Sequence, residues 1–68
     1  MNPVAPTLTR RERECLKWVS EGKTSKDIGM LLYVSEDTII SHIAQSMKKL
    51  GAHTRSEATT KAIRWGLI

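Results

Sequence analysis

Asp37, Ser41, Ala44 and Lys48 recur every three to four residues, with Ile40 and Gln45 beside them. At 3.6 residues per turn these positions share one side of a helix. Their chemistry is recognition rather than bond-making. A glutamine carboxamide offers a donor and an acceptor that match the edge of adenine, and a serine hydroxyl serves either base edge. Isoleucine and alanine suit the methyl group of thymine. No arginine or lysine precedes Lys48 on this side, so the pattern favours A·T over G·C pairs. The side is also slim enough for a channel about as narrow as the major groove of duplex DNA. A merely solvated face would have a similar composition, and the stretch taken alone favours that plainer reading.

A second set of residues suits phosphate. Lys23, Thr24 and Ser25 stand where a helix begins, and Lys48 and Lys49 stand where another ends. The free N–H groups and positive dipole end of a helix start attract anions. Phosphate contacts fix register and supply the salt-sensitive part of an affinity. A solvated charge explains any single lysine about as well.

The element that must carry the first set runs from about 36 to 50. Ser35 can cap it, Asp37 suits its first turn, and Gly51 stops it. Ile39, Ile43, Met47 and Leu50 fall on its opposite side and can be buried. Just upstream, Thr24 and Asp27 open a short helix to about Leu32 that buries Ile28, Leu31 and Leu32. Tyr33-Val34-Ser35 is a tight turn between the two, and two helices so joined suit a helix-turn-helix. Gly29 costs about 1 kcal/mol relative to alanine in a helix interior, which a close backbone approach would explain.

Two further helices complete an all-α, four-helix fold. Thr9 and Glu12 form a capping box, with Leu8 just before it and a helix to about Glu21 carrying Cys15, Leu16 and Val19 on one face. Arg13 at the staple position argues against a full hydrophobic staple. Thr54 and Glu57 form another box, opening a helix with Ala58, Ala62 and Trp65 on one side and Thr59, Ile63 and Gly66 on another. Residues 1–7, with two prolines and no periodicity, read as a linker or disordered N-terminus, and residues 8–68 as the folded domain.

Composition narrows the function. A formal charge of +4 on 68 residues is compatible with a polyanionic partner. A single cysteine forbids an internal disulfide and fits a reducing compartment. No apolar run is long enough to span a bilayer and no signal-peptide pattern is present, so a cytoplasmic location without membrane attachment is expected. The absence of phenylalanine argues against stacking platforms for single strands. Paired carboxylates, a nucleophile–base spacing and a glycine-rich phosphate loop are all missing, so no enzyme is expected. His42, His53 and Cys15 make no metal pattern, and neither metal nor cofactor is expected. Cys15, Trp18 and Trp65 read as packing residues, and His42 as a hydrogen-bonded structural histidine. Glu12, Glu14, Arg11 and Arg55 read as caps or interhelix ion pairs.

Several separated blocks resemble one known family. Leu8-Thr9-Arg10-Arg11-Glu12-Arg13-Glu14, Gly22-Lys23-Thr24, Asp27-Ile28, Leu32-Tyr33-Val34-Ser35-Glu36, Thr38-Ile39, His42, Lys49-Leu50-Gly51 and Arg55 are similar to the LuxR-type C-terminal DNA-binding domain. The resemblance covers Leu8 to Ile68. It implies a four-helix domain of bacterial transcription regulators whose third helix reads the major groove and whose fourth commonly supports dimerisation. On that basis Ile40, Ser41, Ala44 and Gln45 are the base-contact candidates. Lys23, Thr24, Ser25, Lys48 and Lys49 are the phosphate candidates, and Thr59, Ile63 and Gly66 the dimer candidates. The chain departs from the usual pattern at Ile40 (commonly basic or polar), Gly29 (alanine), Gln45 (often asparagine) and Ser46 (commonly apolar). The implied partners are double-stranded DNA and a second copy of the chain. A sensor domain or a full-length regulator is a further partner the resemblance leaves open. The alternative is a protein-interaction module that pairs with and titrates a full-length regulator without reading DNA, and the non-basic Ile40 is the feature that supports it.

Overall fold

The computed structural model describes residues 7–68, so the expected N-terminal linker lies, apart from Thr7, outside the described residues. Four helices follow in order: α1 (Arg10–Ser20), α2 (Ser25–Leu32), α3 (Glu36–Leu50) and α4 (Arg55–Arg64). Each begins where a hydroxyl accepts a third-position N–H: Thr9 from Glu12, Thr24 from Asp27, Ser35 from Thr38 and Thr54 from Glu57. Such a cap satisfies one of the orphan donors of the first turn and contributes about 1 kcal/mol. The expected boxes are complete at α1 and α2. At α4 the box is only half made, because the Glu57 carboxylate reaches past Thr54 to accept the His53 N–H at 2.6 Å. Gly51 closes α3 in the left-handed conformation (φ 64°), where a residue without Cβ carries no steric penalty.

α1 and α3 each pack against all three other helices, whereas α2 and α4 do not meet. The core is correspondingly in two parts. Cys15, Ile28, Ile39 and Ile43 bind the helix-turn-helix to α1, with Trp18, Val19, Leu32 and Val34 against them. Leu8, Leu16, Leu50, Ala58 and Ala62 bind α4 to α1 and α3. Half-buried Met47 touches both parts. Leu8 is buried without a staple partner; its carbonyl instead accepts from the Arg13 guanidinium at 2.9 Å.

The buried stripe of α3 is as expected, and Ser46 belongs to it with its hydroxyl donating to the His42 carbonyl at 2.9 Å. Two expectations about packing fail. Leu31 is exposed, because α2 turns only its Ser25, Ile28, Gly29 and Leu32 side toward α3 and α1. Trp65 is exposed too, because it stands at the C-cap of α4, beyond the turn that Ala58 and Ala62 press onto the domain.

Candidate nucleic-acid interface

The outward side of α3 is assembled by what lies behind it. Ile39 and Ile43 are fully buried against Ile28 and Cys15, and this fixes the rotation of the helix. Ile40, Ser41, Ala44, Gln45 and Lys48 are therefore turned to solvent. The Ser41 hydroxyl, the Gln45 carboxamide and the Lys48 ammonium form no hydrogen bond or ion pair among the described residues.

The angle between α2 and α3 is set by the turn. Tyr33 adopts a left-handed conformation (φ 59°) at the C-cap of α2, and the Val34 N–H donates to the Gly29 carbonyl at 3.0 Å. A Cβ on Gly29 would stand 2.6 Å from the Val34 carbonyl oxygen. The glycine thus lets α2 lie against the backbone of its own turn into α3, a closer version of the approach expected from its position.

The phosphate candidates divide. Lys23 and Lys48 are exposed and have no ion-pair partner among the described residues. Thr24 is exposed, but its hydroxyl caps Asp27, while the Asp27 carboxylate accepts the Thr24 N–H at 3.2 Å. That backbone hydrogen bond holds the Asp27 carboxyl below its ordinary pKa. Ser25 opens α2, but its hydroxyl is buried and without a hydrogen-bond partner, because the first residue of α2 faces the core, so its backbone N–H is what it turns toward an anion.

Lys49 is engaged within the chain. Its ammonium lies 2.8 Å from Glu12, which is 4 % exposed and also accepts the Thr9 N–H. Burial pushes the Glu12 carboxyl up, but the hydrogen bonds from Lys49 and Thr9 outweigh it and lower its pKa. Glu12 is thus both cap and interhelix partner, tying α1 to the end of α3. Arg11 pairs with Glu14 at 3.6 Å within α1 rather than between helices. Arg55 is half-buried but makes neither cap nor ion pair among the described residues, and the half-buried His42 ring makes no hydrogen bond there either. Cys15 is buried, and burial raises its thiol pKa, as suits an inert core residue.

A further contact between helices is not legible in the sequence. Lys61 of α4 donates to the carbonyls of Leu50 and Gly51 at 3.2 and 3.1 Å, capping the C-terminal end of α3 with positive charge. It also lies 3.5 Å from Glu57. No spacing rule announces it, since it depends on how α4 crosses α3.

On α4, Ala58 and Ala62 are buried while Ile63 is 59 % exposed and Gly66 is open. Thr59 departs from the face expected for it. It is buried, and its hydroxyl donates to the Ser56 carbonyl at 2.9 Å, so it leaves the outward face to Ile63, Gly66 and the neighbouring Trp65. Among the described residues no group of three metal-ligating side chains occurs, and no helix is long and apolar enough to cross a membrane.

This geometry has relatives. A family profile described as "Bacterial regulatory proteins, luxR family" matches residues 6–62. The spore germination protein GerE of Bacillus subtilis is 43 % identical over 61 residues, which are 90 % of this chain and 82 % of that protein. A putative HTH-type transcriptional regulator, y4qH of Sinorhizobium fredii, is 48 % identical over 63 residues, 93 % of this chain but 19 % of the relative. In several other curated relatives the chain spans about a quarter of their length. The solved structure of GerE superposes with a TM-score of 0.83 at 39 % identity, covering 87 % of this chain and 88 % of that one. Escherichia coli SdiA superposes with a TM-score of 0.87 at 38 % identity, covering 100 % and 28 %.

Proposed function

Because the chain belongs to the luxR family of bacterial regulatory proteins, whose helix-turn-helix domain binds DNA for transcription regulation, we propose that it reads a specific duplex sequence by placing α3 in the major groove. The observation that carries this reading is the contrast between the two sides of one helix. The inner side is anchored by Ile39, Ile43 and Leu50; the outer side offers Ile40, Ser41, Ala44 and Gln45 with their chemistry unspent. Helix α2 braces α3 on the backbone, with Lys23 and the start of α2 toward one phosphate and Lys48 toward another. The mechanism is binding, without a bond-making step, and it operates on DNA in the cytoplasm.

The same reading makes the active form a homodimer through α4. Exposed Ile63 and Trp65 beside Gly66 supply an apolar face that a second copy would cover. Two α3 helices would then meet half-sites about one DNA turn apart, or a multiple of it, on a palindrome. Since the chain spans a quarter or less of the length of several relatives, control by a sensor portion or by a full-length partner is part of the proposal.

The deciding experiment is fluorescence anisotropy with random duplex at low salt, where sequence-independent binding must appear for any such domain. Absence of binding there, with the chain folded, would favour the module that pairs with a full-length regulator. Ile63→Asp should abolish dimers in sedimentation while leaving the monomer folded; persistent dimers would move the interface elsewhere.

A further inference from the structure

Six large apolar side chains are exposed among the described residues, and Ile40 is the one that lies on α3. It is 43 % exposed, and its outward neighbours are Ser41, Ala44 and Gln45. Leaving an isoleucine in water forgoes the hydrophobic gain of burying it, while a polar residue here would be solvated at no such loss. Being β-branched, Ile40 has one strongly preferred χ1 rotamer in a helix, so its methyl groups are held in a fixed direction. The base edges of the major groove present a single apolar group, the C5-methyl of thymine. Ile40 has no donor or acceptor, and it therefore has no means of reading the oxygen or amino group at the neighbouring C4 position.

We propose that Ile40 recognises the C5-methyl group itself, so that the base it faces is selected as a 5-methylpyrimidine. Thymine is accepted, 5-methylcytosine is accepted in its place, and unmethylated cytosine is disfavoured. The proposal rests on the assignment of α3 to the groove and adds to it the chemical group read at one position. It also makes binding sensitive to cytosine methylation at that position.

The test begins with a site selected from random duplex. Each thymine is then replaced by deoxyuridine, which removes only the methyl group. At one position per half-site the affinity should fall roughly fourfold, the worth of burying about one methyl-sized group. At that same position 5-methylcytosine should bind roughly fourfold more tightly than cytosine. Both differences should vanish in Ile40→Ala and persist in Ile40→Val, which keeps the branched methyl groups. Both variants should melt as the parent does, since the site is exposed. Deoxyuridine that is neutral everywhere, or a methyl preference that survives in Ile40→Ala, overturns the assignment of Ile40 alone. Failure to bind any duplex at low salt overturns the groove reading, and this proposal with it.

Discussion

At the C-terminal end of α3, Ser46, Lys49 and the Leu50 and Gly51 carbonyls are each bonded within the chain. From Ile40 to Gln45 the outward side chains of the same helix have no such partner among the described residues. One helix thus serves as a beam at one end and along its back, while its front, the side proposed to read DNA, is turned to solvent. Two classes of substitution should therefore separate cleanly: those that unfold the domain and those that only blunt its grip on DNA. The largest effect belongs to the back. Ile43→Ala should cost about 2–5 kcal/mol, because it empties a fully buried site between α1 and α2. In a domain this small that loss consumes much of the total stability, and urea denaturation should show it directly. Gln45→Ala, two residues on, should leave the unfolding free energy within about 0.5 kcal/mol of the parent while weakening DNA binding. Equal stability losses at Ile43 and Gln45 would break the comparison.

Glu12→Ala comes next, at about 1–2 kcal/mol, through the lost cap on Thr9 and the lost partner of Lys49. The ion pair contributes only part of this, since Lys49 is partly exposed and can turn to water. Glu12→Gln should cost less, because the amide oxygen still accepts the Thr9 N–H. The pH dependence has a definite sign. Glu12 has a lowered pKa in the folded chain, so its contribution is complete above the ordinary glutamate range and is lost as the pH falls through the folded value. Acid titration of the melting temperature should therefore fall less steeply in Glu12→Gln than in the parent.

Much of this was legible in the sequence, and the reason is locality. Thr9, Thr24, Ser35 and Thr54 act on amides three residues away, and Gly51 acts on the chain at its own position, so short windows contain the whole cause. The buried stripe of α3 follows from period alone. What was illegible depends on how helices cross. Lys49 and Glu12 are 37 residues apart, and nothing in either neighbourhood says they meet. Thr59 and Ile63 share a face by period, yet the placement of α4 buries one and exposes the other. Ser25 read as a helix start open to anions, but only the packing of α2 decides which way its hydroxyl turns.

Gly29→Ala tests the joint between the two regions. Alanine should gain about 1 kcal/mol in helix propensity, but its Cβ would stand 2.6 Å from the Val34 carbonyl and force the turn to move. The neighbour is backbone, so the displacement costs about 1–3 kcal/mol, and the net stability change should be a loss of roughly 0–2 kcal/mol. Because the moved turn carries the start of α3, DNA affinity should fall by more than stability does. A variant that melts and binds as the parent does would show that the turn is not what aims α3.

The smallest effects, and the sharpest division, lie in two adjacent lysines. Lys48 points out from α3 with no ion-pair partner among the described residues, while Lys49 turns back onto Glu12. If Lys48 neutralises one phosphate, Lys48→Ala should reduce the slope of log affinity against log salt by about 0.9 per chain bound, with stability unchanged. Lys49→Ala should do the reverse: the salt slope should hold, while stability drops by up to about 1 kcal/mol as Glu12 loses its partner. A salt titration of both variants on one duplex, beside their urea curves, reads the two quantities independently. Should Lys49→Ala flatten the slope as Lys48→Ala does, its ammonium must leave Glu12 when DNA arrives. The boundary between the anchored and the reading parts of α3 would then shift one residue toward the C-terminus.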